Sequence, residues 1–111
     1  MPDEVVLTDH VERFNEGIRT GDFASMLAAF ADDAELVFEG VPVGPFVGRD
    51  AIAEAYRARP PDDEVRLLGP ARAEGDALVA DYAWAREGTR AGRMILTPRD
   101  GAIARLVVTF E

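Results

Sequence analysis

The hydrophobic positions near the N-terminus repeat with the period of an α-helix. Spacings of three or four residues place four apolar side chains on one helical face: Leu7, Val11, Phe14 and Ile18. Thr20 and Gly21 follow this stripe, and glycine is favoured just beyond the last turn of a helix. The pattern therefore predicts a first helix that ends at Gly21.

A second apolar stripe begins after Asp22, a residue type favoured at a helix N-cap. Its members are Phe23, Met26, Leu27 and Phe30. We predict that this helix ends near residues 31–33, where Asp32 and Asp33 cap local backbone groups. A short strand is expected over residues 35–39.

The next segment, residues 40–48, contains three glycines and two prolines and is predicted to be a loop or an irregular hairpin. A third helix is expected from Arg49-Asp50 to the stop at Pro60-Pro61. It carries Ile52, Ala55 and Tyr56.

The remaining sequence alternates as β-strands do. Turn signals divide it into four expected strands, over residues 65–73 (bent at Gly69-Pro70), 77–87, 90–97 and 102–110. Tight turns would join the last three as an antiparallel meander. Helices first and strands last predict one α+β domain over residues 1–111. Its three N-terminal helices would pack on a curved mixed, mostly antiparallel sheet that forms a cone-shaped pocket.

The composition limits the partners, the cellular location and the reactions that are expected. The net charge is −9, which disfavours binding to nucleic acid or to an anionic membrane. The acidic start, Met1 to Glu4, lacks the features of a signal peptide, so we expect a cytoplasmic protein. The sequence contains no cysteine, no lysine and one histidine, which excludes thiolate and Schiff-base chemistry and multi-histidine metal sites. We expect no metal and no cofactor.

Four short segments carry a resemblance to a known family. They are Gly21-Asp22-Phe23, Phe30-Ala31-Asp32-Asp33-Ala34, Gly48-Arg49-Asp50-Ala51-Ile52 followed by Tyr56, and Asp100-Gly101-Ala102-Ile103. With this order of elements, the whole chain resembles the nuclear transport factor 2-like superfamily, which includes ketosteroid isomerases and SnoaL-like polyketide cyclases. The resemblance implies the fold and a pocket for a hydrophobic small molecule. It specifies the reaction poorly, because this fold hosts many functions.

The resemblance also assigns positions within the pocket. The oxyanion-hole tyrosine of ketosteroid isomerases falls at Phe14, the general-base aspartate at Phe38 beside Glu39, and the second oxyanion-hole acid at Arg93. The supporting tyrosine is kept as Tyr56, and the aromatic residue of the last strand is Phe110. The resemblance thus implies a preserved pocket wall without the usual reactive groups.

Strand alternation gives an independent prediction of the pocket wall. The expected lining residues on the sheet are Tyr82, Trp84, Leu106, Val108 and Phe110, and those that close the pocket from above are Phe14, Ile18, Phe38 and Tyr56. The same side chains could instead fill a solid core. A shift of one residue in the first strand would place Glu39 inward in place of Phe38.

Four polar residues are candidates for chemistry. Alternation places Arg93 on the inward face, where its guanidinium would pair with Glu39 or Glu111, or bind a ligand oxygen. Tyr56 could donate to a ligand oxygen or tie the third helix to a neighbour. His10 and Glu39 are the candidate bases, and His10 could equally be solvated or act as a cap.

The outer sheet face is predicted to carry Met94, Leu96 and Val107, and we expect it to form a homodimer. Three functions stay open from the sequence. The chain could be an isomerase, cyclase or dehydratase that acts by proton transfer on a hydrophobic carbonyl compound. It could also be a non-catalytic binding module, or a dimerisation domain with a filled core.

Overall fold

The computed structural model describes the backbone of residues 4–111 and the side chains of residues 5–111. The prediction of a cytoplasmic protein rested on residues Met1 to Glu4. Of these four, Met1, Pro2 and Asp3 lie outside the described range. The helices are α1 (Glu4–Thr20), α2 (Ala24–Ala28) and α3 (Arg49–Ala58). The strands are β1 (Phe30–Glu39), β2 (Phe46–Val47), β3 (Val65–Leu67), β4 (Arg72–Glu74), β5 (Ala77–Trp84), β6 (Arg90–Arg99) and β7 (Ala102–Thr109).

The strands form one mixed sheet. Its order is β2-β1-β7-β6-β5-β3. The short strand β4 also pairs with β5, at a different part of β5 from the one that pairs with β3. β1 runs parallel to β7, whereas all the other strand pairs are antiparallel. The predicted α+β class and the predicted mixed, mostly antiparallel sheet are therefore confirmed.

The ends of α1 and α3 follow local sequence signals. Gly21 has a φ of 81°, and its N–H donates to the carbonyl of Gly17 at 2.7 Å, which closes α1 as predicted. α3 begins at Arg49 and ends two residues before Pro60, because proline disfavours helical conformation in the residue that precedes it.

The second helix is shorter than predicted, and the acidic corner after it is strand. α2 ends at Ala28, and residues 30–34 already belong to β1. Asp32 forms an ion pair with Arg49, and Asp33 forms one with Arg99. The predicted cap role of the two aspartates was therefore wrong. The register of β1 shifts between Phe30 and Glu35, and this irregularity disguises the strand in the sequence.

Side-chain hydrogen bonds join α1 to the edge of the sheet. Asn15 donates from Nδ2 to the carbonyl of Val65 at 2.8 Å, and its Oδ1 accepts from the N–H of Val65 at 2.8 Å. The amide thus satisfies both backbone groups of one β3 residue. This contact fixes α1 over the sheet and helps to position Phe14, which lies one residue before Asn15.

A bulge in β6 decides which residues face the helices. Tyr82 pairs with Gly92, but Ala83 pairs with Arg90, so Ala91 is an extra residue in β6. After the bulge, Met94 pairs with Ala80 and with Val108, and all three belong to the core.

The predicted faces of β6 were therefore wrong. Met94 and Leu96 are 5% and 0% exposed and lie in the core, not on the outer face. Arg93 lies on the opposite side of β6, where it pairs in register with Asp81. Strict alternation along β6 would place Arg93 on the same face as Ala91, which packs against the core, but the extra residue reverses the phase between them. Val107 does lie on the outer face, beside Ile95 of β6.

Candidate functional site

A cavity of about 530 Å³ lies between α1, α3 and the inner faces of β1 and β5. Cavities that bind small molecules commonly have volumes of roughly 300–1,000 Å³. The residues that line it are Phe14, Leu36, Phe38, Val41, Pro42, Val43, Gly44, Phe46, Ala55, Tyr56, Ala58, Arg59, Pro61, Trp84 and Phe110. The lining is thus apolar apart from Tyr56, Arg59 and backbone groups.

Aromatic rings form much of the wall on the sheet side. The rings of Trp84 and Phe110 stack with centroids 6.5 Å apart and an interplanar angle of 27°. Phe38 contacts Phe110 with centroids 6.0 Å apart, and it meets Phe46 nearly edge-on at 6.2 Å. These four rings form an extended apolar surface on this side of the cavity.

The register of β1 is settled by these contacts. Phe38 pairs with Val108 of β7 and faces the cavity, as does Leu36 two residues earlier. Glu39 is exposed and is absent from the lining. The alternative register, in which Glu39 would replace Phe38, is therefore not the one that forms.

The predicted lining residues divide into two groups. Those that reach the cavity are Phe14, Phe38, Tyr56, Trp84 and Phe110. Those that pack into or against the core and do not line the cavity are Ile18, Tyr82, Leu106 and Val108. The alternation identified the correct face of β5 and β7, but it could not show how deep along each strand the cavity extends.

One wall of the cavity, formed by the segment between β1 and β2, was not predicted from the sequence. Val41, Pro42, Val43 and Gly44 line the cavity, and Phe46 of β2 joins them because it pairs with Leu36. A glycine- and proline-rich loop has no period that would reveal which side chains turn inward. The signal available was Phe46 itself, a large apolar residue within an otherwise loop-like segment.

Tyr56 lies on α3 with its ring against two phenylalanines. The centroid distances are 5.3 Å to Phe23 and 6.5 Å to Phe14. Among the described residues, no group hydrogen-bonds to the hydroxyl of Tyr56. Burial raises the pKa of Tyr56 above its usual value, so the hydroxyl stays protonated and can donate a hydrogen bond.

Arg59 is the one charged residue among the described residues that line the cavity, and it was not predicted from the sequence. It follows the last turn of α3, where its N–H donates to the carbonyl of Ala55 at 3.0 Å. Because Arg59 is an exposed residue that also lines the cavity, it must lie where the cavity meets solvent.

His10 lies in the core and away from the cavity lining. It is 2% exposed, and its ring meets Phe30 edge-on with centroids 5.7 Å apart. Burial lowers the pKa of His10 to about 4, so the imidazole is neutral at pH 7. The predicted solvated position was therefore wrong. The Nδ1 atom has no hydrogen-bond partner among the described residues.

Arg93 belongs to a polar cluster at the end of the outer sheet face. Its N–H donates to Oγ1 of Thr109 at 2.9 Å, and its Nε lies 3.8 Å from a carboxylate oxygen of Glu111. Glu111 also accepts from Arg90, which holds the pKa of the Glu111 carboxyl below its usual value. Of the two carboxylates predicted to pair with Arg93, Glu111 is the one within 4.0 Å, and the Nε of Arg93 has no hydrogen-bond partner among the described residues.

The four candidates for chemistry do not meet. Only Tyr56 reaches the cavity, whereas Arg93, His10 and Glu39 lie elsewhere. The lining contains no carboxylate and no imidazole. Among the side chains of residues 5–111, no three acidic or histidine groups are close enough together to hold a metal ion. The cavity walls can therefore bury an apolar surface and donate hydrogen bonds, but they supply no carboxylate or imidazole to act as a general base.

The family follows from the sequence match and the fold together. A family model described as the SnoaL-like domain matches residues 11–107, so the chain belongs to that family. The architecture is that of the wider nuclear transport factor 2-like superfamily. No curated protein matches the sequence significantly. No helix among residues 4–111 is both long and apolar enough to cross a membrane.

Solved structures show the same fold at low sequence identity. A nuclear transport factor 2-like protein of unknown function from Burkholderia xenovorans has a TM-score of 0.70 and 17% identity over 97% of this chain and 84% of its own. A protein from Sinorhizobium meliloti, named as a candidate polyketide cyclase, has a TM-score of 0.65 and 24% identity, covering 90% of this chain and 93% of its own. A candidate isomerase from Bacillus subtilis has a TM-score of 0.67 and 16% identity, covering 94% and 85%.

Proposed function

We propose that this SnoaL-like domain binds a flat, largely apolar small molecule in the cavity beside Trp84. The observation that carries the proposal is the lining itself, in which aromatic rings from both helices and strands surround an open volume of about 530 Å³. Water in such a cavity finds few hydrogen-bonding partners, so displacement of that water by an apolar ligand is favourable.

Proton-transfer catalysis is the second candidate. Structural neighbours named as a candidate cyclase and a candidate isomerase favour it, as does the free hydroxyl of Tyr56. In this hypothesis, Tyr56 donates to the carbonyl oxygen of a hydrophobic substrate and stabilises charge that develops there. An isomerase, cyclase or dehydratase also needs a group that removes a proton, and the lining contains no carboxylate or imidazole for that step. Binding is therefore the function that the geometry supports best.

The test follows the emission of Trp84, the only tryptophan, during titration with flat enone steroids and aromatic polyketides. Saturable quenching or a spectral shift is expected. Ala55→Phe should abolish the response, because Ala55 lines the cavity and a phenyl ring would fill part of it. Ala73→Phe is the matched control, since Ala73 is exposed on β4 and lies outside the lining. Equal responses in both variants would contradict binding in this cavity.

Catalysis is tested on the same compounds by following substrate conversion with time. Binding without conversion supports the binding module. Conversion that is lost in Tyr56→Phe, with binding retained, would favour the enzyme. If no compound binds and Ala55→Phe leaves the free energy of unfolding unchanged or raises it, the cavity is a packing gap and the dimerisation domain becomes the better description.

We also propose a homodimer through the outer face of the sheet, with a corrected set of residues. The outer row across four strands consists of Val37, Val107, Ile95 and Val79. Val37 and Ile95 are the partly exposed members of this row. Nucleic acid and anionic membranes remain unexpected partners because of the net charge of −9.

A further inference from the structure

Arginines in this acidic protein are almost all paired with carboxylates. Of the twelve basic residues, all of them arginine, ten lie within 4.0 Å of a carboxylate oxygen in the described part of the chain. The two without such a partner among residues 5–111 are Arg59 and Arg66. Arg66 is exposed on β3 and does not line the cavity, whereas Arg59 does.

Tyr56 lies on α3, and Arg59 is the residue that directly follows the helix. Both residues line the cavity, as do Ala55 and Ala58 of α3, so the cavity-facing side of this helix continues to Arg59. Arg59 lies at the edge exposed to solvent, and Tyr56 lies deeper, against Phe14 and Phe23. This end of α3 therefore presents two hydrogen-bond donors to the cavity. The guanidinium can only donate, and the Tyr56 hydroxyl, which can donate or accept, has no partner among the described residues.

We infer that the ligand of this cavity is an amphipathic carboxylate, with a flat apolar body against the Trp84 side and its carboxylate at Arg59. The inference rests on the proposed binding function and adds the chemical class of the ligand. A guanidinium matches a carboxylate with two parallel hydrogen bonds. The apolar body would cover Arg59 on one side, which reduces the screening that weakens ion pairs in open water.

The position of Arg59 has a structural alternative. A basic residue beside the last turn of a helix interacts favourably with the carbonyl groups exposed there. That role would affect the stability of the protein and would not depend on the charge of a ligand. The two roles are therefore separated by ligands that differ only in charge.

The test uses pyrene-1-carboxylate and pyrene-1-carboxamide, which have nearly the same shape. Binding is followed by energy transfer from Trp84 to pyrene at pH 7 and low ionic strength. The wild-type protein should bind the carboxylate roughly 1.5-fold to fivefold more tightly than the amide, the range for a partly exposed ion pair. Added salt should reduce this preference and leave amide binding nearly unchanged.

Arg59→Gln should abolish the preference while it retains binding of the amide. Arg57→Gln is the matched control, because it removes the same charge from an exposed site that pairs with Glu54 and lies outside the lining. Arg59→Lys should retain a smaller preference, since an ammonium cannot form the paired hydrogen bonds.

The outcomes separate this inference from the function on which it rests. If neither pyrene compound binds, nor any of the steroids and polyketides, the proposed binding function fails and the inference fails with it. If both pyrene compounds bind equally well to the wild-type protein, the binding function stands and the carboxylate inference is overturned. A preference that persists in Arg59→Gln would likewise overturn it, because another group must then hold the charge.

Discussion

The hydroxyl of Tyr82 donates a hydrogen bond of 2.8 Å to the backbone carbonyl of Thr109. Tyr82 lies on β5 and Thr109 on β7, so the side chain crosses β6, which lies between these strands. Both residues are buried. Burial, together with the nearby negative charge of Glu111, raises the pKa of Tyr82 to about 12. Strand alternation placed Tyr82 in the predicted pocket wall, but the structure gives it this link within the sheet.

Tyr82→Phe should lower the free energy of unfolding by about 1–2 kcal/mol, because it leaves a buried carbonyl without this donor. Urea denaturation measures the change. Tyr56→Phe is the matched control, and it should change the free energy of unfolding by less than about 0.5 kcal/mol because that hydroxyl has no partner in the described residues. Equal effects of the two substitutions would show that the Tyr82 bond does not contribute to stability.

Gly92 is required where β6 passes closest to Thr109. A Cβ atom at position 92 would overlap the carbonyl oxygen and carbon of Thr109. Gly92→Ala should therefore lower the free energy of unfolding by about 2 kcal/mol, since the backbone of β7 must move. Thermal or urea denaturation gives the measurement.

Gly17→Ala provides the comparison for Gly92→Ala. Its Cβ would overlap the ring of Phe23, which is a side chain and not backbone, and alanine is favoured over glycine within a helix. We expect a smaller loss of stability than at position 92. A Gly92→Ala variant as stable as the wild-type protein would mean that β7 adjusts freely, contrary to this explanation.

The sequence predicts α1 and α3 well because their signals are local. The period of apolar residues from Leu7 to Ile18 and the break at Gly21 need no knowledge of the rest of the chain. The break at Pro60 has the same local character. The face of β6 could not be predicted in this way, because both phases of the alternation contain apolar residues. The bulge at Ala91 that selects one phase exists only through pairing with β5.

The candidate site was predictable only in part for the same reason. Phe14, Tyr56 and Phe110 were identified through the resemblance and do line the cavity. Arg59 was not, because an arginine before two prolines looks like an ordinary exposed residue. Arg59 stands out for two reasons: α3 ends at the cavity, and most of the other arginines form ion pairs with carboxylates. Both depend on contacts between distant segments, so a single stretch of sequence does not reveal them.

The proposed dimer predicts that the wild-type protein has twice the mass of one chain in solution at micromolar concentration. Ile95→Glu should produce a monomer, because it places a charge in the middle of the apolar row between Val79 and Val107. Leu68→Glu is the control, since Leu68 is exposed outside that row. Light scattering measures both masses. A wild-type monomer would contradict the proposal outright.

Burial of His10 makes stability depend on pH in a specific window. The pKa is about 4 in the folded protein and 6.5 as its unperturbed value, so the unfolded chain binds the proton more tightly. Above pH 6.5 the imidazole is neutral in both the folded and the unfolded protein, so it causes no loss of stability there. As the pH decreases from 6.5 towards 4, the unfolded chain takes up a proton that the folded protein does not, and the free energy of unfolding falls. The total loss is about 3 kcal/mol.

His10→Leu should remove this dependence, and urea denaturation from pH 7 to pH 4 compares the two proteins. Asp33 and Glu111 have lowered pKa values and lose their contributions at more acidic pH in both proteins, so the difference between the curves isolates His10. Parallel curves for wild type and His10→Leu would show that the imidazole is protonated within the fold without cost.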